Sequence, residues 1–568
     1  MLLLNPKRPL PLPLDPESRA LVEKTIAFFE TKGKAALRRD DLGRVWYADF
    51  LAFVKKEKLF ATFLTPSALG ASPAHRWDTY RNAALNEVLA FYGLPYWYAW
   101  QVTILGLGPF WMSGNVAARK ETARLLEDGG IFGFGLSEKE HGADIYSTGM
   151  RLVPSGPGTF VARGSKYYIG NGNEAARLSV FGKIEGTDEY VFFAVDPKRA
   201  GYELVGNVVA SQSYVADFEL RGYPVTEAEI LLRGPAAWDA ALNTVNVGKY
   251  NLGWGSVGIA THAFYEAIRH AANRRLYGMA VTDFPHVKRM FTDAYARLVA
   301  MKLFALRASD YFRSASREDR RYLLFNPVVK MKVTTEGEKV IDLLWDVIAA
   351  KGFEKDTYFE MAARDIRALT TLAGTVHVNI ALIVKFMKSY FFAAQPCPDV
   401  RRRHDPADDA FLWAQGPAKG LSKIGFSDFG PVFAARSEPN VAVFRGQVGT
   451  FREMLVRATP TEEQAKDVDF SLAVGELFTL AVYAQLVLEN ASLLGDAAAD
   501  TDLVDQIFEV LVRDFSRHAV DLHAKPASTA AQMEYALKMI RKPAHDAARY
   551  ERVWATVHAL KDAYEMNP

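Results

Sequence analysis

A block of short β-rich runs punctuated by glycine and proline lies between Gly129 and Pro235, with helical sequence on both sides of it. "GGIFGFGLSEKEHGAD", "GTFVARGSKYYIGNG", "RLSVFGKI", "EYVFFAVD" and "GYELVG" each read as strand or strand plus turn. Upstream, from Pro16 to Glu127, "SRALVEKTIAFFETKG" and "RWDTYRNAALNEVLAFYG" have helical spacing, and each is stopped by glycine. Downstream, "SVGIATHAFYEAIRHAANRRLYG" repeats apolar residues at three- and four-residue steps, and helices continue to Ala394. A Pro- and charge-rich connector, Gln395 to Asp409, leads to more helical sequence. The expected fold is mostly α with a central β-domain, divided as 16–128, 129–235, 236–394 and 406–568.

Composition excludes several function classes. With 568 residues, 49% of them hydrophobic, the chain can bury several cores. Its 68 basic and 66 acidic side chains nearly cancel without long single-sign blocks, which is not the footprint of a nucleic-acid binder. Cys397 is the only cysteine, so an intrachain disulfide and a Cys-rich metal site are excluded, and a reducing compartment, the cytoplasm, is expected. "MLLLNPKRPLPLPLD" is too briefly apolar for a signal peptide and reads as an extended arm. "LFTLAVYAQLVL", Leu477 to Leu488, is bounded by Glu476 and Glu489 and reads as a buried helix, with membrane contact the lesser alternative. No phosphate loop, H-E-x-x-H helix or G-x-S-x-G elbow occurs, and the eleven histidines lack ligand spacing, so no metal site is expected. "GNGNEAA" lacks a βαβ context and reads as a turn, while "GLPYWYAW" reads as core packing or, alternatively, a pocket wall.

Taken in order, the helix–sheet–helix layout, "FGLSEKEHGAD", "NRRLYG" and "ARDIRALTTLAGTVHVN" resemble the acyl-CoA dehydrogenase superfamily over Pro16 to Lys388. "FLWAQGPAKGLSKIGF" and the helices after it resemble the C-terminal extension of the larger long-chain members. The resemblance implies a helical domain, a β-barrel-like middle and a four-helix bundle, with FAD held between sheet and bundle in a homodimer or tetramer. It also implies an acyl-CoA or acyl-carrier thioester as substrate and, if the chain is redox-active, electron-transfer flavoprotein as partner. Carried over by position, Phe134, Leu136 and Ser137 lie along the flavin ring and Tyr168 is the aromatic beside it. Arg274 and Tyr277 belong to the segment that meets the FAD pyrophosphate, where a planar guanidinium suits a diphosphate. Thr375 and His377 follow the turn that again touches the flavin, and Lys249 falls in the substrate region.

The departures carry as much weight. Gly170 stands where the family has a hydroxyl near flavin N5, and Ala143 replaces a serine associated with the carrier. Asp346 replaces a glutamine, and Ala349 and Ala350 replace a Gly-Gly whose backbone approaches phosphate. The family's glutamate base, just before the Gly-Thr turn, is Ala373, and its alternative location on an earlier helix is Gly248. Alanine keeps the N–H that polarises a thioester but has nothing to accept a proton, and a positioned base contributes about 10²–10⁴-fold. Three readings follow: a Glu→Ala change in a working dehydrogenase, a base relocated to Glu138, His141, Tyr250 or Asp365, or a protein that binds an acyl thioester for non-redox chemistry or none.

Overall fold

The computed structural model of the protein describes residues 2–417, 419–495 and 500–568; Ala418 of "FLWAQGPAKGLSKIGF" lies outside them. The chain forms two compact units, one of Leu12–Asn251, His404–Lys419 and Met566–Pro568, the other of Met1–Pro11, Leu252–Arg403 and Gly420–Glu565.

In the first unit, helix α1 (Thr79–Tyr92) starts at Asp78, whose carboxylate accepts the N–H groups of Tyr80 and Arg81. Gly93 separates it from α2 (Leu94–Met112), where Pro95 occupies the first turn and needs no donor. The second helix is apolar on every face and almost wholly buried, as a core helix must be. Strands β1 (Phe132–Gly135), β2 (Arg151–Gly156), β3 (Thr159–Gly170), β4 (Arg177–Ile184), β5 (Tyr190–Val195), β6 (Tyr202–Asn207), β7 (Val215–Thr226) and β8 (Ile230–Arg233) form one sheet. Its order is β6-β7-β3-β2-β4-β5-β8, with β1 added in parallel to β4. Inward-facing Leu152, Leu178, Val180, Phe193, Phe218 and Leu220 make the core of this sheet.

Glycines let α2 lie against its neighbours. A β-carbon on Gly106 would sit 2.8 Å from the backbone of Gly133 in β1, and one on Gly108 would run into Thr244. Thr244 belongs to α3 (Gly234–Asn273), a 40-residue helix within which the boundary between the two units falls.

The second unit is helical. It contains the later part of α3 together with α4 (Pro285–Arg313), α5 (Thr334–Ile348), α6 (Tyr358–Thr371), α7 (Val468–Leu494) and α8 (Thr501–His523). A π-helical turn, Val329–Val333, precedes α5. Buried Arg297 of α4 donates to both oxygens of Asp514 in α8, at 2.7 and 2.9 Å, and also to Glu336 of α5. Lys332 of the π-turn adds a 2.6 Å contact to Glu336. Helix α7 is long and apolar enough to span a bilayer, but 83% of its most apolar window is buried inside this fold.

The observed division differs from the fourfold one expected. Residues 406–568 do not form a body of their own, because the α4–α8 ion pairs place most of them in the helical unit. The boundary expected at 235/236 is crossed by α3, whose helical sequence runs on past it without a breaker until Asn273. The helical and β segments upstream form one unit because α2 packs on β1 and β3 through glycine.

Candidate functional site

Expected site residues fall in both units. In the β-containing unit, Phe134 is buried on β1 and stacks on Phe192 of β5 at 5.9 Å between ring centroids. Half-buried Leu136 offers its carbonyl to Lys166 Nζ at 2.9 Å, and Ser137 Oγ donates to the Tyr167 carbonyl at 2.7 Å. The register of β3 slips between Lys166 and Ile169. Tyr168 stands in that bulge with φ +63° and a ring that is 56% exposed. Asn171, also left-handed and fully buried, fixes the end of the bulge by donating to the carbonyls of Ala99 (3.0 Å) and Phe132 (2.9 Å). Ala143 lies in an exposed loop.

Two glycines at family positions have their space taken by α2. A β-carbon at Gly170 would lie 2.6 Å from both Tyr98 and Val102, and one at Gly248 would lie 2.6 Å from Leu105 and 3.1 Å from Gln101 Nε2. Side chains of α2 fill the space that a larger residue at either position would need. Sequence reasoning missed this, because nothing in "YAWQVTIL" marks which residues meet Gly170 or Gly248.

It also missed a buried amide relay. Asn86 Oδ1 accepts the indole N–H groups of Trp97 (2.9 Å) and Trp100 (3.2 Å), while its Nδ2 donates to Asn251 Oδ1 at 3.1 Å. Asn251 Nδ2 donates to Gln101 Oε1 at 2.8 Å, and Gln101 Nε2 donates to the Gly248 carbonyl at 3.1 Å. The available signal was amide residues at 86, 101 and 251 within helical sequence. The relay locks the turn of α3 that carries Gly248 and Lys249.

In the helical unit, Arg274 is exposed and its guanidinium has no partner among the described residues. Tyr277, φ +53° and 93% exposed, tops a small hairpin with Leu276 and Met279. Burial, then the nearby cations Arg274 and Lys351, hold His270 below the ordinary imidazole range. This puts positive charge beside the end of α5, where Asp346 is exposed. Ala349 closes that helix at φ +55°, ψ −138°, a combination natural to glycine, and Ala350 follows it exposed.

The turn after α6 is built in the same way. Ala373 has φ +54° and Gly374 φ +89°, and neither N–H donates to any group among the described residues. Buried Asn379 clamps the turn through the carbonyls of Gly374 (3.1 Å) and Thr375 (2.9 Å). Thr375 caps the next helix and His377 is exposed. Of the eight non-glycine residues with positive φ among the described residues, Tyr168, Tyr277, Ala349 and Ala373 are expected site residues, and Asn171 adjoins Gly170. Such backbone strain is retained where the surroundings impose it, and it gathers at functional sites.

The relocated-base candidates fare unequally. Glu138 accepts from Lys166 Nζ at 2.7 Å and from the N–H of Gly149 at 2.7 Å. Burial pushes its carboxyl up, but Lys166, Thr148 and Gly149 outweigh that and hold it low. It is therefore the structural counter-ion of a buried lysine. Tyr250 and Asp365 are buried with interactions of their own, and His141 sits in a half-exposed loop. Elsewhere in the helical unit, a 490 Å³ cavity has Arg307 and Arg321 on either side of Tyr311. Both guanidiniums are engaged, Arg307 by Glu489 and Asp310 and Arg321 by Asp319, so this cavity reads as a closed ion network.

Comparison with known proteins agrees with this layout. The family described as "Acyl-CoA dehydrogenase, C-terminal domain" matches residues 237–388. A probable short/branched chain specific acyl-CoA dehydrogenase of Dictyostelium discoideum is 22% identical over 279 residues, covering 48% of this chain and 66% of that protein. The mitochondrial very long-chain specific acyl-CoA dehydrogenase of Bos taurus is 25% identical over 261 residues, covering 43% of this chain and 39% of the relative. The chain thus spans less than two thirds of the length of both relatives. The crystal structure of an acyl-CoA dehydrogenase complexed with FAD from Bacillus anthracis superposes with a TM-score of 0.77 at 15% identity, over 99% of this chain and 97% of that one, a likeness of fold. Residues 237–388 thus match the acyl-CoA dehydrogenase C-terminal domain, and the chain as a whole has the acyl-CoA dehydrogenase fold.

Proposed function

We propose that the protein is an FAD-dependent oxidoreductase of acyl thioesters that takes the α-proton and the β-hydride from a saturated acyl chain. The observation that carries this reading is the glycine-like backbone kept by alanines at 349 and 373. A chain released from cofactor binding would have relaxed these turns, since each costs about 1–3 kcal/mol. Bound FAD supplies the hydride acceptor. Arg274, Ala349 and Ala350 would hold its diphosphate, while Phe134, Leu136, Ser137 and Tyr168 would lie along its ring. The unspent N–H groups of Ala373 and Gly374 suit a thioester carbonyl, where negative charge grows as the α-proton leaves. A second copy of the chain would cover exposed Leu276, Tyr277 and Met279, and an electron-transfer flavoprotein would reoxidise the flavin. The single cysteine continues to favour a reducing compartment such as the cytoplasm.

The visible absorption spectrum of the purified protein tests the reading. A yellow protein whose flavin bands bleach on anaerobic addition of an acyl-CoA is expected. A colourless protein that does not take up added FAD would sink it. A second reading, a thioester-binding protein without redox chemistry, is favoured by Tyr98 and Val102 occupying the space at Gly170. A flavin-free protein that still binds acyl-CoA is its signature.

A further inference from the structure

We infer that Lys330 is a positioning residue: by occupying the Leu369 carbonyl, it keeps the Ala373 N–H for the carbonyl oxygen of an acyl thioester. This rests on the acyl-thioester reading above. A helix commonly ends with the N–H groups past its last turn folding back onto its final carbonyls. At the end of α6, Leu372 does so, donating to the Ala368 carbonyl at 3.0 Å. The next bond in that series, from the Ala373 N–H to the Leu369 carbonyl, is absent among the described residues. Leu372 is extended (φ −68°, ψ 153°), which turns the chain out of the helix and takes the Ala373 N–H with it. Leu369 is fully buried, so its carbonyl needs another donor. Lys330 supplies one, with Nζ 2.8 Å from the Leu369 oxygen.

The way Lys330 is held fits this role. It lies in the π-helical turn Val329–Val333, a kind of irregularity frequent at functional sites, and is fully buried. Thr334 Oγ1 donates to the Lys330 carbonyl at 2.5 Å, fixing the backbone from which the side chain reaches α6. Its ammonium also meets the negative pole at the C-terminus of α6, where a cation is favoured. Lys330, Thr334, Leu369 and Ala373 all belong to the helical unit.

A fold-back bond from Ala373 would satisfy Leu369 without burying a charge, and burying a charge opposes folding. The chain nevertheless buries a lysine there and holds Ala373 and Gly374 at φ +54° and +89°, with neither N–H used. A buried ammonium placed where a backbone N–H would serve leaves that N–H for an acceptor from outside the chain. An acyl carbonyl held by it is polarised, and the bond strengthens as negative charge grows on the oxygen.

The test uses the purified flavoprotein and its Lys330→Met and Lys330→Arg variants. The probe is trans-2-octenoyl-CoA labelled with ¹³C at the thioester carbonyl, which the proposed desaturation cannot consume. Its carbonyl stretch is read by infrared difference spectroscopy, and amide hydrogen exchange is followed at Ala373. In wild type, binding should lower the stretch below that of the free thioester and slow exchange at Ala373. In Lys330→Met the Ala373 N–H should turn back onto Leu369, so that its exchange is slow without ligand and the bound carbonyl returns to its free frequency. Saturating octanoyl-CoA should then reduce the flavin about 10²–10³-fold more slowly, as expected for loss of one such donor. Lys330→Arg, which still donates to Leu369, should keep the lowered stretch. Faster exchange at Ala373 in Lys330→Met, as a merely structural lysine would give, overturns the proposal, and so does a wild-type carbonyl stretch in that variant. Wild-type exchange at Ala373 that bound octenoyl-CoA leaves unchanged also overturns it, even where Lys330→Met does not fold; the acyl-thioester reading then stands. A wild type that binds no acyl-CoA overturns both.

Discussion

Ala349 shows how a residue can be wrong for its conformation and informative for that reason. Its φ of +55° with ψ of −138° brings the β-carbon against its own backbone, where glycine would carry no such penalty. Ala349→Gly should therefore stabilise the helical unit by about 1 kcal/mol, the relieved strain outweighing the added freedom of the unfolded chain. Urea denaturation of the two proteins checks the sign, and a lower midpoint for the variant would mean that the strain is not there. The sequence alone reads Ala349 and Ala350 as lost phosphate contacts, because alanine predicts ordinary helical or extended backbone. The folded chain instead holds Ala349 in a backbone conformation that glycine adopts without strain.

Helix α2 is the element that reshapes the site. Its ends and apolar character were legible in "GLPYWYAW", through the glycine stop, the proline at the first turn and the absence of any polar stripe. Its partners were not. Gly170 and Gly248 meet it from distant parts of the sequence, and periodicity within one helix cannot name what lies across from it. The relay has the same character, joining Asn86 to Asn251 across a sequence separation of 165 residues. Asn86→Leu should cost about 2–4 kcal/mol, because it leaves two indole N–H groups and the Asn251 carbonyl buried without partners. Thermal denaturation measures the loss, and a change in the tryptophan fluorescence of Trp97 and Trp100 reports the same event locally. A variant as stable as wild type would show that the relay is ornamental.

Over the whole molecule, the helical unit is assembled from segments far apart in sequence and joined by buried charge. Arg297 faces Asp514 and Glu336 with Lys332 and Lys339 alongside. Arg297→Met leaves two carboxylates against lysines alone and should cost about 3–5 kcal/mol. Burial opposes ionisation of Glu336 and Asp514, but Arg297 and the lysines hold both well below their ordinary range. Their contribution is present above the unfolded values of 4.5 and 3.8 and is lost as pH falls through the lower folded ones. Acid melts should therefore show the variant losing less stability than wild type between neutral pH and pH about 3. The oily helix α7 adds a consequence in time. It lies between α4, made before it, and α8, made after it, so when it leaves the ribosome one flank has no surface to rest on. A segment that passes for a membrane anchor by length is then exposed in water until the following hairpin arm is synthesised, and in those seconds the nascent chain is a natural client for chaperones.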